Sequence, residues 1–158
     1  MKKTSHMRYL YLTIYIAGII LIYLSSLQSG DTSANESSWV ANFLFKIIDN
    51  INFLKIEIDY ETFHQIVRKA IGHFGSFFVI GIFGYLSFTS LSSYYSRSVG
   101  LSVSIGAIVA ITAELFQLLA IERGPLWSDM AINFSGYIIS TFICLIIFMI
   151  NRKRARLS

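Results

Sequence analysis

Residues 114–136, ELFQLLAIERGPLWSDMAINFSG, gather Glu114, Gln117, Arg123, Asp129 and Asn133 between two long apolar runs. Carboxylates and amides beside a guanidinium suit two kinds of chemistry: holding a phosphate-bearing ligand, or moving protons at one. Glu114 and Gln117 are three apart, so a helix puts them on one face. Asp129, Asn133 and Gly136 follow an i, i+4, i+7 pattern and share another. Between the two groups Gly124-Pro125 predicts a turn, because proline lacks an N–H and glycine accepts unusual dihedrals. The stretch therefore reads as a helical hairpin with its polar residues on the inner faces. Such groups at membrane depth are costly, and they face a bundle interior or a wet cavity.

The elements that must position these residues are membrane helices. The chain has 158 residues, of which 54% are hydrophobic and 14% charged, against about 25% charged in ordinary soluble domains. The charges are segregated, leaving long uncharged runs and no room for a separate soluble domain. Much of the basic excess sits at the chain ends beside apolar segments, which fits membrane topology rather than nucleic acid. The lone Cys144 lies inside the last apolar run and is a small packing residue. The fold class is all-α: an integral membrane four-helix bundle with spans at about 9–27, 70–91, 99–121 and 130–150. A leader cleaved near Ser25 and Ser26 is the rival for the first span, but the run is long and tyrosine-rich for that.

The connection at 28–69 opens with the polar, turn-like QSGDTSANESS. It then changes at 39–54, where Val40, Leu44, Ile47, Ile48, Ile51 and Leu54 recur at helical spacing. That pattern predicts an extra amphipathic helix in the first outer loop, with Trp39 near the headgroups. Gly72, Gly75, Gly81 and Gly84 in the second span predict close helix packing.

With four spans both termini share one side. That side holds Lys2, Lys3, Arg8, Arg97, Arg152, Lys153, Arg154 and Arg156, against Lys46, Lys55, Arg68, Lys69 and Arg123 on the other. The positive-inside rule puts both termini in the cytoplasm. A layer of polar residues then emerges. Ser26 and Gln28 end the first span on the outer side, Lys69 and His73 open the second, Glu114 and Gln117 close the third, and Asp129 and Asn133 open the fourth. At 1.5 Å per residue, His73, Gln117 and Asn133 lie about 6 Å inside the outer boundary and Glu114 about 10 Å.

These residues resemble the VanZ-like family of bacterial membrane proteins. YLSSLQSG at 23–30, RKAIGHF at 68–74, and the AELFQ…ERG…SDMAINFSG pattern within 113–136 carry the likeness, together with the four-span layout. The last piece is the most specific. Two positions depart from it: Ser76 stands where relatives often carry an acid after the histidine, and Ala113 where many have Asp. The resemblance implies a cell-envelope protein associated with resistance to the lipid-tailed glycopeptide teicoplanin. It supplies no molecular activity.

Three readings of the polar layer follow. In the first, Lys69, His73, Glu114, Gln117, Arg123, Asp129, Asn133, Ser26 and Gln28 bind a phosphate-bearing or polyprenyl-linked envelope lipid, or a lipoglycopeptide antibiotic. In the second, the protein is an enzyme acting on a lipid headgroup, with Glu114, His73 and Asp129 as catalytic acid-base residues and Arg123 steadying phosphate charge. In the third, the layer only holds the helices together. His73, Glu114 and Asp129 could in principle ligate a divalent metal, but no short-range ligand spacing supports one, so neither a metal nor another cofactor is expected. No phosphate loop or serine-nucleophile motif is present, and His6 and His64 carry no assigned role.

Overall fold

A computed structural model describes residues 5–50, 58–91 and 94–157. The uncharged runs fold into helices because apolar side chains and internally satisfied backbone are what a bilayer core permits. The elements are α1 (Ser5–Ser26), α2 (Gly30–Asn50), α3 (Tyr60–Val67), a π-helical segment (Arg68–Gly75), α4 (Ser76–Leu91), α5 (Tyr95–Phe116), a short 3₁₀ turn (Gln117–Leu119) and α6 (Trp127–Leu157). Among the described residues there is no strand. Four helices are long and apolar enough to cross a membrane: His6–Ser26, Tyr60–Leu91, Tyr95–Leu119 and Trp127–Ala155.

The helices overrun the apolar runs that announce them. The second begins at Tyr60, ten residues ahead of the expected 70, because Asp59 caps it by accepting from the Thr62 N–H at 2.9 Å. That Thr62 bond also holds the exposed Asp59 carboxyl below its ordinary range. The fourth continues beyond 150 through its basic tail to Leu157. The amphipathic helix expected at 39–54 starts at Gly30 instead, and its 51–54 portion lies outside the described residues. Ser29 starts it by accepting from the Thr32 N–H at 3.3 Å, and Asp31 in the first turn suits the helix dipole. QSGDTSANESS is therefore mostly helix.

α4 is the central element and packs on α1, α5 and α6. Tyr137 of α6 fills the middle of the bundle, completely buried, in space cleared by glycines. A Cβ at Gly106 would run into its ring, and one at Gly84 into its hydroxyl. The expectation of packing glycines thus holds for Gly81 and Gly84, but a Cβ at Gly72 would meet nothing within 4 Å. The core is stitched by hydroxyls: Tyr137 to Tyr15 at 2.9 Å and to Ser102 at 3.3 Å, and Tyr23 to Thr112 at 2.8 Å. Polar contacts between membrane helices contribute modestly. Tyr137→Phe is expected to cost about 0.5–1.5 kcal/mol, measured as a lowered unfolding midpoint in detergent; an unchanged midpoint would mean that the hydroxyl cluster contributes nothing.

A second cluster, Ala41 with Phe63 and Val67, joins α2 to α3, with Val40, Leu44 and Phe45 packed around it. Trp39 and Phe43 stack on the opposite, exposed face of α2. Ser37 meets His64 Nε2 at 2.8 Å and fastens the same two helices, which gives His64 a structural contact.

Candidate functional site

The predicted layer forms at the end of the bundle where α1 stops, the π segment begins, α5 ends and α6 begins. Glu114 lies at its centre, 1% exposed. Its Oε1 accepts from Asn133 Nδ2 at 3.0 Å, and its Oε2 faces the Leu126 N–H at 3.5 Å. Asn133, thus oriented, turns its oxygen to His73 Nδ1 at 3.1 Å. That oxygen can only accept, so the hydrogen resides on Nδ1. The other ring nitrogen faces Asp129 Oδ2 at 3.6 Å. Asp129 pairs with Lys69 at 2.8 Å and accepts from Ser128 Oγ at 3.1 Å. The two carboxylates flank opposite nitrogens of one imidazole and do not converge on a single point, so the trio does not build a metal site. Among the described residues no other His, Cys, Asp and Glu cluster does either.

The π segment puts Lys69 and His73 on the face that meets α6. π geometry is rare and concentrates at functional sites. Its wider turn is visible at Gly75, where a Cβ would stand 3.3 Å from the carbonyl of Ala70, five residues back. Ser76 donates back to the carbonyls of Gly72 and His73 and so is satisfied locally.

Arg123 occupies a joint between three chain segments. Its Nη1 donates to the carbonyls of Ser25 at 3.0 Å and Gln28 at 3.4 Å. Beside it the Gly30 N–H donates to the Ile121 carbonyl at 3.1 Å. Gly30 is needed for that approach, since a Cβ would stand 2.9 Å from the Glu122 carbonyl oxygen. The turn expected from Gly124-Pro125 takes its left-handed residue elsewhere: Glu122 has φ 59°, and no glycine has positive φ among the described residues.

Beneath the joint a cavity of about 540 Å³ opens between α1, α2 and the Tyr60–Leu91 helix, within the roughly 300–1,000 Å³ usual for ligand sites. Ser26, Gln28, His73, Glu114, Gln117, Arg123 and Asn133, all expected on sequence grounds, line it. Lys69 and Asp129 do not; their ion pair lies on the other side of His73. Arg68, Glu36 and Ser37 line the cavity and were not singled out. The i, i+4 spacing of Arg68 and Gly72 was the available signal for Arg68; Glu36 sits in the stretch read as turn, where Gln28 donates to it at 3.0 Å.

The cavity is lined by two guanidiniums, Arg68 and Arg123, and by two carboxylates, Glu36 and Glu114, each already accepting a side-chain amide hydrogen bond. Among the described residues neither Arg68 nor Arg123 has a carboxylate within ion-pair distance. Burial first, and then the Arg68 charge, push the Arg123 guanidinium below its ordinary value, while Glu114 and Asp129 act the other way. Arg123 Nε is buried with no hydrogen-bond partner among the described residues. Gln117, 5% exposed, lines the same cavity.

A family model described as VanZ/LLP1 matches residues 9–148. The chain belongs to the VanZ-like family. No curated protein and no solved structure matches it. This VanZ-like chain is a multi-pass membrane protein. The matched region includes every residue of the network and of the joint. The pieces that looked separate along this VanZ-like sequence meet in space: Ser25, Gln28 and Gly30 engage the 121–123 turn, and Lys69 and His73 engage Asp129 and Asn133.

Proposed function

We propose that this VanZ-like protein binds the phosphate of an anionic envelope lipid in the cavity at the loop end of the bundle. The observation that carries this is the pairing of Arg68 and Arg123 on one cavity, with no carboxylate in ion-pair contact with either guanidinium among the described residues. Two guanidiniums that repel each other are relieved by an anion, and guanidinium suits phosphate. Gln117 and Ser26 add neutral donors on the same wall. Glu114 is nearly inaccessible and already engaged, and His73 is clasped by Asn133, which favours a binder over a headgroup hydrolase. With both termini cytoplasmic, as the basic residues argue, the pocket opens in the outer leaflet. The polar layer and the family together support an envelope role of the kind implied by teicoplanin resistance.

The test uses purified protein in nanodiscs containing a phosphate monoester lipid or, as comparison, uncharged diacylglycerol. Arg68→Gln is expected to weaken binding of the phosphate lipid about tenfold or more, a loss of about 1.4 kcal/mol or more, without changing the unfolding midpoint. Arg68→Lys should restore part of it. In cells, the wild type should raise teicoplanin tolerance and Arg68→Gln, at equal abundance, should not. Equal affinity of wild type and Arg68→Gln for the phosphate lipid would sink the reading.

A further inference from the structure

The cavity is graded from one end to the other, and the grading narrows the class of ligand; this step rests on the phosphate-binding reading. At the loop end its walls carry Arg68, Arg123, Ser26 and Gln28, with Glu36 held by the Gln28 amide, and further in they carry Gly18, Leu21, Ile71 and Val79. On the Tyr60–Leu91 helix a single stripe, Arg68, Gly72, Ser76 and Val79, passes from cation to hydrocarbon over about 16 Å at 1.5 Å per residue. Ser76 presents little polarity of its own there, because its hydroxyl is turned back onto the helix backbone.

The cavity is also open sideways. α1 packs on α4 and α5 but has little contact with α2 or the π segment. Leu21, Ile71 and Val79 on the two rims are 64%, 49% and 51% exposed. In a spanning bundle, side chains exposed at that depth face hydrocarbon. The inner end is shut where Gly18 lets α1 close on α4: a Cβ there would stand 2.7 Å from Ile80 Cγ2. At Gly72 the wall is recessed, with nothing within 4 Å of a Cβ.

The geometry points to a lateral lipid groove. A phosphate-headed lipid enters from the bilayer between α1 and the Tyr60–Leu91 helix and seats its phosphate between Arg68 and Arg123. It lays its chain past Gly72 and Ser76 to leave between Leu21 and Val79. A water-soluble phosphate would use only the outer half of the cavity. The charged end matches the head and the apolar end matches the chain, so the ligand class is an amphiphile that never leaves the membrane.

The probe is a long-chain alkyl phosphate bearing a diazirine midway along its chain, photolysed with full-length protein in nanodiscs and mapped by peptide mass spectrometry. Label is expected in the peptides holding 18–22 and 71–80. It should fall at least fivefold in Arg68→Gln and in Gly72→Phe, whose ring would occupy the recess. The Gly72→Phe midpoint is recorded beside it, and Gly72→Ala, which hardly fills the recess, should retain the label. Label that depends on Arg68 but lies on the outward face of α6, at Ile146 and Ile147, would overturn the groove and leave phosphate binding intact. Label indifferent to Arg68 everywhere would overturn both. Label in the groove at wild-type level in a folded Gly72→Phe would overturn the chain path.

Discussion

Gly136→Val is expected to prevent the bundle from assembling, with folded yield in detergent falling severalfold and the residual protein unfolding at a clearly lower temperature. A Cβ at Gly136 would run into the carbonyl oxygen of Phe74 and stand 3.2 Å from the Phe78 nitrogen. Both obstacles are backbone, so no side chain can rotate away and α6 must move as a body. Overpacking commonly costs about 1–3 kcal/mol, and here the displacement adds lost polar contacts. Asn133 and Asp129 are one and two turns away on the same helix, and their bonds to His73 and Lys69 require α6 at its present distance. Gly136→Ala should err in the same direction to a smaller extent. Gly100→Val is the control, since a Cβ at Gly100 meets nothing within 4 Å. A Gly136→Val protein as abundant and as stable as Gly100→Val would show that the α6 contact tolerates separation.

The contrast between those glycines marks what a sequence can disclose. The four spans were legible because hydrocarbon imposes composition directly, and the polar layer because each of its residues sits near the end of an apolar run. Neither reading needed a tertiary contact. The hairpin was legible in outline, but its left-handed residue is Glu122 rather than Gly124, because the turn is shaped by α2 resting against the Ile121 and Glu122 carbonyls. That contact joins residues 30 and 121, and nothing local encodes it. The early start of α2 was hidden because polar residues give no apolar periodicity; Ser29 followed by Asp31 was the cue. The π segment left no pattern either. It differs from an α-helix in which carbonyl each N–H reaches, and eight residues are too few for an altered side-chain period to show.

The site was legible as a set and not as an arrangement. Sequence reasoning placed Lys69 and Asp129 with the ligand-binding residues, whereas the structure sets their ion pair behind His73, away from the cavity. Arg68, adjacent in sequence to Lys69, points the other way. A difference of one residue on a helix is about 100° of rotation, and only the π register decides which of the two cations meets the cavity. The outcome is a division of labour. Lys69, Asp129, His73, Asn133 and Glu114 form a chain of partners holding the π segment to α6 and to the end of α5, while Arg68 and Arg123 line the cavity with no carboxylate in ion-pair contact among the described residues.

That division predicts that Glu114 and Arg68 fail in opposite ways. Glu114→Leu removes the acceptor for the buried Asn133 Nδ2 and for the part-buried Leu126 N–H. Orphaned buried donors cost about 1–3 kcal/mol each, so a loss of about 2–4 kcal/mol is expected, together with low abundance in cells. Glu114→Gln keeps the shape and one carbonyl oxygen. That oxygen can serve Asn133 or Leu126 but not both, and the new NH₂ confronts the donor left over, so an intermediate loss of about 1–2 kcal/mol is expected. In both variants phosphate-lipid binding and teicoplanin tolerance should decline in proportion to the folded protein remaining. Arg68→Gln should instead lose binding at full stability. The discriminating measurement is binding per folded molecule, with the midpoint recorded on the same sample. A Glu114→Gln protein with an undiminished midpoint, intact lipid binding and no teicoplanin protection would make the carboxylate a reacting group, and the lipid a substrate rather than a cargo.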